Sequence, residues 1–270
     1  ENFNFPESNI SLLIDKEATK DNIIKEFSNI AFKAQENDRV LVFFAGHGET
    51  MELPGGGQMG YLIPVNGDAE NLYYSSIPMD ELKRLALMSK AKHMLYLVDA
   101  CYGGIAAVGS RGLNTNTPNY INKVVKDQAR QIITAGGKGE QVIEKSEWGH
   151  SAFTMNLIRA LENGKADLNA DGYITGDELG LFLKEKVTID SENQQTPQSR
   201  RFTSHEGEFV FINNVNIEKQ IINITTDSEK ENVDDYKIYS LLTDSTVHDL
   251  KQEIELLKSE LNKPVKFIQG

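Results

Sequence analysis

The sequence predicts an α/β protein, a three-layer sandwich around a mostly parallel central sheet. Several short runs are almost continuously apolar after a polar first residue, among them "RVLVFFAG" (39–46), "HMLYLV" (93–98) and "QIITA" (131–135). That is the pattern of strands covered on both faces. Segments with helical periodicity alternate with them, as layers of helix packed on a parallel sheet require. The chain has 270 residues, 39% hydrophobic and 25% charged. It is long enough to bury a sizeable core, and its composition is that of a globular protein.

Taken in order, "ISLLID" (10–15) reads as a short buried strand. Thr19 is placed to cap a helix over 20–36, where Ile23, Phe27, Ile30 and Ala34 share one face. The strand at 39–46 ends in glycine. "GGGQMGYLIP" (55–64) is a glycine-rich loop followed by a short strand, and "PMDELKRLAL" (78–87) is a helix with Pro78 at its first position. Strands at 93–98 and 131–135 follow, then a helix at 151–164 closed by Gly164, and a last strand in "GEFVFI" (207–212). Residues 1–213 are thus expected to form one domain. Residues 214–245, which include "TTDSEKENVDD", read as a polar linker. Over 246–262, Val247, Leu250, Ile254, Leu257 and Leu261 recur at spacings of three and four. This is a helix, either a short coiled coil or one docking on its own or a neighbouring domain, so self- or partner association through 247–261 is expected.

The net charge of -12 argues against a nucleic-acid partner. No run approaches the roughly eighteen apolar residues that span a membrane. The expected location is cytoplasmic, with upstream targeting left open because the sequence starts at Glu1. A single cysteine, Cys101, excludes an intrachain disulfide.

Two apolar strands end in unusual chemistry. "VLVFFAGHGE" places His47 between Gly46 and Gly48, and "LYLVDACYGG" places Cys101 just before Gly103 and Gly104. If the strands are parallel neighbours, both tips lie on one edge of the sheet, where sites in such folds form. Cysteine and histidine there make a nucleophile and general base. The N–H groups of Gly48 and Cys101 are the candidate oxyanion donors.

At these residues the sequence resembles the caspase-like cysteine peptidases, and is most similar to the bacterial metacaspase-like (orthocaspase) members. "FFAGHGE" and "LVDACYGG" carry the resemblance, and "ARQIITAGGKGEQVIE", "GHSAFTMNLIRAL", "QTPQ" and "GEFVFI" extend it over about 8–213. It implies a cysteine endopeptidase with His47 as base and Cys101 as nucleophile. In that family a further strand and helix precede the "ISLLID" segment, and that strand is central in the sheet. They have no counterpart in these residues. Asp99, two residues before Cys101, either caps local N–H groups or lines the primary specificity pocket. The metacaspase-like enzymes have Asp at this place and cut after Arg or Lys, so a basic peptide substrate is implied. Glu140 is a second candidate pocket acid. Arg111, Lys123 and Lys126, in the long segment 109–128, are candidate self-cleavage points if that loop is cut at all.

"DLNADGYITGDE" (167–178) has the spacing of a calcium-binding EF-hand loop. Asp167, Asn169 and Asp171 take positions one, three and five, Gly172 makes the turn, Tyr173 offers its carbonyl, and Thr175 and Glu178 take nine and twelve. A structural Ca2+ is expected, with no cofactor needed for the chemistry. The rival readings are an inactive caspase-like interaction module and a calcium-binding adaptor.

Overall fold

The computed structural model describes residues 3, 5–100, 120–137 and 139–213 in full, and the backbone alone of 108–109 and 265–269. In chain order its strands are β1 (Ile10–Leu12), β2 (Arg39–Ala45), β3 (His47–Glu52), β4 (Gln58–Ile63), β5 (Ile77–Pro78), β6 (His93–Asp99), β7 (Val108–Gly109), β8 (Ala129–Thr134), β9 (Tyr173–Thr175), β10 (Gln198–Arg201), β11 (Val210–Ile212) and β12 (Val265–Gln269). The helices are α1 (Lys20–Lys33), α2 (Leu72–Ser75), α3 (Met79–Met88), α4 (Tyr120–Val124), α5 (Ala152–Glu162) and α6 (Gly176–Asp190).

The main sheet runs β1-β12-β2-β6-β8-β10-β7. Its first five strands are mutually parallel, and β10 and β7 close the far edge in antiparallel pairing. Alternation along each strand splits the core into two layers. Val40, Val42 and Phe44 of β2, with Tyr96 and Val98 of β6, pack under α1 and α3. Leu41, Phe43, Leu95 and Leu97 face the other way, against Phe153 and Leu157 of α5 and Leu179 and Phe182 of α6. Each such side chain contributes roughly 1.5–3 kcal/mol when fully buried, so both faces are anchored and the predicted sandwich is the one observed. α6 comes close to the sheet because two positions lack a Cβ. One added at Gly176 would stand 2.5 Å from Gln131, and one at Gly180 would stand 2.7 Å from Ser199.

Several details differ from the sequence reading. The Thr19 cap is present, accepting from Asn22 N–H, but α1 ends at Lys33 because Ala34 turns to an extended backbone. Pro78 is the residue before α3, not its first turn. Of "GEFVFI", only Val210–Ile212 is a strand, and it pairs with β9 in a separate two-stranded sheet. The strand that joins β8 is instead β10, the polar segment "QSRR". The linker at 214–245 and the helix at 246–262 lie outside the described residues.

β12 lies between β1 and β2, one place in from the edge of the sheet. Phe267 stands opposite Ile10, and Val265 opposite Arg39. Without it β1 loses its ladder partner and β2 becomes an edge. A chain ending at Pro264 should therefore melt several degrees lower, and a peptide of residues 263–270 added in trans should restore part of the loss. Thermal unfolding of the truncated chain with and without the peptide checks this; an unchanged midpoint refutes it.

One buried cation braces the same layer. Arg130 of β8 is 4% exposed. Its guanidinium donates to the carbonyls of Ala86, Ser89, Ala91, Lys92 and Ala129 over 2.7–3.1 Å. These include carbonyls at the C-terminal end of α3, which lack partners within the helix.

Candidate active site

β2 and β6 are adjacent, parallel and in register from Arg39–His93 to Ala45–Asp99. The two apolar runs therefore end side by side, and the N–H of Gly46 donates to the carbonyl of Asp99 at 3.1 Å. This places His47 two residues beyond one strand tip and Ala100, fully buried, at the other. Cys101 itself lies outside the described residues, as does Arg111. His47 is exposed and opens β3, opposite Ile63 of β4. It lines a groove of about 500 Å³ together with Ile14, Asp15, Phe44, Ile63 and Val65. Gly48 faces Leu62 in the same hairpin. The hairpin was not read from the sequence, which showed a glycine-flanked stop at 46 but not that the chain resumes as a strand.

Asp99 is 5% exposed at the end of β6. Its Oδ2 accepts from the hydroxyls of Ser151 and Thr154. Ser151 also caps α5, accepting from Thr154 N–H at 2.9 Å. The α5 N-terminus is thus tied to the carboxylate. Oδ1 of Asp99 is buried with no partner among the described residues. Burial pushes the Asp99 carboxyl above the usual range, the two hydroxyls pull it back, and Glu144 adds repulsion. The neighbouring acid it feels is Glu144. Glu140 is half-buried, and its Oε2 accepts from the N–H groups of Gly137 at 2.8 Å and Thr196 at 2.6 Å. That carboxylate fastens the 136–140 turn to the "QTPQ" segment. Gln195 does the same nearby, donating to Ala135 O and accepting from Ile143 N–H, both at 2.8 Å. Lys123 sits in α4 and Lys126 in the turn after it, the first reaching Glu206 at 3.5 Å.

His93, at the opposite end of β6, is 2% exposed, and burial holds it down at about 3, with Arg39 adding repulsion. It is a neutral core residue bonded to Asp127 O at 3.1 Å.

The 167–178 loop is a second segment that carries several acidic side chains. Asp167 accepts from the N–H groups of Asp171 and Gly172, both at 3.1 Å, and Asp171 accepts from Tyr173 N–H at 2.9 Å. Gly172 takes the left-handed φ of 87° that the turn needs. Thr175 caps α6, and Glu178 answers it in a capping box. Burial pushes Glu178 up to about 7, the Thr175 bonds lower it, and Asp171 and Asp167 repel it further. Asp177 points elsewhere, to Arg201 at 3.0 Å and Gln131 at 3.2 Å. Among the described residues, no three His, Cys, Asp or Glu side chains already stand close enough together to hold a metal ion. No helix among them is long and apolar enough to cross a membrane.

Comparison with known proteins adds the following. A family profile described as the caspase domain matches residues 4–205. No curated protein matches the chain. Among solved structures, the chain is similar to protein GSU0716 from Geobacter sulfurreducens, with 16% identity and a TM-score of 0.47, over 71% of this chain and 76% of that one.

Proposed function

The chain belongs to the caspase-domain peptidase family, and on that footing we propose that it is a cysteine endopeptidase cutting after Arg or Lys, with Cys101 as nucleophile and His47 as general base. The thiolate of Cys101 adds to the scissile carbonyl carbon, and the oxyanion that forms is held by N–H groups of Gly48 and Cys101. His47 delivers a proton to the departing amine, leaving a thioester on Cys101. Water activated by His47 then releases the acid product. Support for the pairing is the register of β2 and β6, which brings their ends together on one edge of the sheet.

The observation that carries the specificity is the unpartnered, buried Oδ1 of Asp99 at that edge. A carboxylate withdrawn from water is costly unless a cation joins it. A substrate guanidinium can turn its N–H donors on the open Oδ1, and an ammonium brings a single point charge. A substrate Asp would bring a second negative charge to a site that Glu144 already crowds. Arg should be cleaved at least as fast as Lys. Asp should be rejected by several kcal/mol, on the order of a like-charge juxtaposition.

Fluorogenic peptides differing only at the residue before the cut test this. Asp99→Asn should lose about 2–5 kcal/mol of transition-state binding on the basic peptides, roughly thirtyfold to several thousandfold in kcat/KM. Because the Asp99 carboxyl is raised, it ionises at a higher pH than an exposed Asp. Binding of the basic substrate should therefore strengthen as pH rises through that value, and the Asn variant should lack this limb. Preference for Asp or for an apolar residue would overturn the pocket assignment.

A further inference from the structure

We propose that the loop 167–178 is a calcium site that clamps the β9–β11 pair to the start of α6, a role separate from the peptide chemistry. The donors are oxygens alone: the carboxylates of Asp167, Asp171 and Glu178, the amide oxygen of Asn169 and the carbonyl of Tyr173, with Thr175 at the ninth place. Hard oxygen donors on a twelve-residue loop with glycine at the sixth place suit Ca2+, which accepts six to eight such ligands. The second observation concerns Glu178 itself. It is 1% exposed, and only one of its two oxygens is engaged: Oε2 accepts from Thr175 N–H and Oγ1, both at 3.0 Å. Oε1 is buried with no partner. A buried carboxylate oxygen is expensive to leave unmatched, and a divalent cation in the adjoining loop is the partner that would satisfy it.

The surroundings explain what the ion would hold together. The loop is fastened from behind: Asn213, just past β11, donates its side-chain amide to Asp167 Oδ2 at 2.9 Å, and its backbone N–H to Gly172 O at 2.8 Å. β9, inside the loop, pairs with β11. On the far side Asp177 N–H donates to Glu208 at 3.0 Å, and Arg201 pairs with both Asp177 and Glu208. Asp167, Asn169 and Asp171 accept from N–H groups of the loop as well, so Oε1 of Glu178 is the oxygen of this set that is left buried without a protein partner. Binding then requires the carboxylates to close in, since in this structure they are not gathered.

The experiment is thermal unfolding of the full chain, freed of metal by chelator and titrated with CaCl₂. At calcium a hundredfold above Kd, the midpoint should rise by about 5–10 °C, by mass action on the native state. Glu178→Gln should abolish the rise. Gln still completes a capping box, so its midpoint in chelator should stay near that of the parent. Asp171→Asn, at an exposed position, is the second variant, should Glu178→Gln fold poorly, and it should weaken calcium binding at least tenfold. Hydrogen exchange should slow on calcium addition at the amides of 167–178 and β9. No rise in the parent, an unchanged rise in Glu178→Gln, or an equal rise with MgCl₂ each overturns the proposal.

Discussion

Cys101→Ala is expected to reduce hydrolysis of an arginyl peptide by at least about 10⁴-fold, and His47→Ala by about 10³-fold or more, with the fold intact in both. Covalent catalysis fails outright without its nucleophile, whereas the loss of the base leaves a thiol that ionises only in part. The two groups act as a unit, so the double variant should be little worse than Cys101→Ala alone. His47 is exposed and at the mouth of a groove, so its removal vacates no core space. The thermal midpoint of His47→Ala should therefore lie within a degree or two of the parent. An arginyl affinity label that forms a covalent adduct with the parent should leave Cys101→Ala untouched. Retention of even one percent of activity in Cys101→Ala would remove it from the chemistry. Absence of both hydrolysis and adduct in the parent itself would instead favour the reading of this fold as an interaction module.

The largest loss of stability is expected from Arg130→Met, about 3–5 kcal/mol, the range seen when a buried charged group is removed from its partners. A guanidinium has five N–H donors, and Arg130 directs all of them at carbonyls: Nε at Ala86, Nη1 at Lys92 and Ala129, Nη2 at Ser89 and Ala91. It also places a positive charge at the C-terminal end of α3, where the helix dipole favours it. Burial lowers its pKa from the ordinary arginine value, the mark of a cation kept out of water. Methionine fills the space but takes one donor from each of those carbonyls, of which Lys92 O keeps the Ala129 N–H at 3.0 Å. Arg130→Lys should rescue only part of the loss, because an ammonium has three donors on one point. Arg39 is the contrast: it is equally buried, yet only its Nη2 is matched, to Val210 O at 2.7 Å, while the guanidinium lies 5.0 Å from the Phe209 ring. Its burial lowers the pKa to about 10, and its removal should cost less. Denaturant midpoints of the three variants decide the order. A loss below about 1 kcal/mol for Arg130→Met would mean that water takes over the freed carbonyls.

What can be read along the chain is whatever depends on neighbours in sequence. The caps at Thr19 and the glycine after α5 follow from residue type and position, and they recur in the structure. The largely apolar runs of β2 and β6 and the "II" of β8 required cover on both faces, and the helices supply it. The glycine-flanked His47 and the spacing of the 167–178 loop are equally local, because each depends on a few consecutive backbone conformations.

Tertiary structure decided everything that joins distant segments. β10 is a polar run with no alternation to announce it, and it became a strand only because β8 offered a free edge. β12 entered the sheet between β1 and β2, though more than two hundred residues separate it from either of them along the chain. Asp99 could be singled out by its place before Cys101, but its partners Ser151 and Thr154 lie 52 and 55 residues further on. The carbonyls around Arg130 belong to a helix end some forty residues earlier. Periodicity reports which face of an element is buried, through the free energy of removing apolar surface from water. It is silent on which buried donor meets which acceptor, because that match is made only when the folded chain brings remote backbone together.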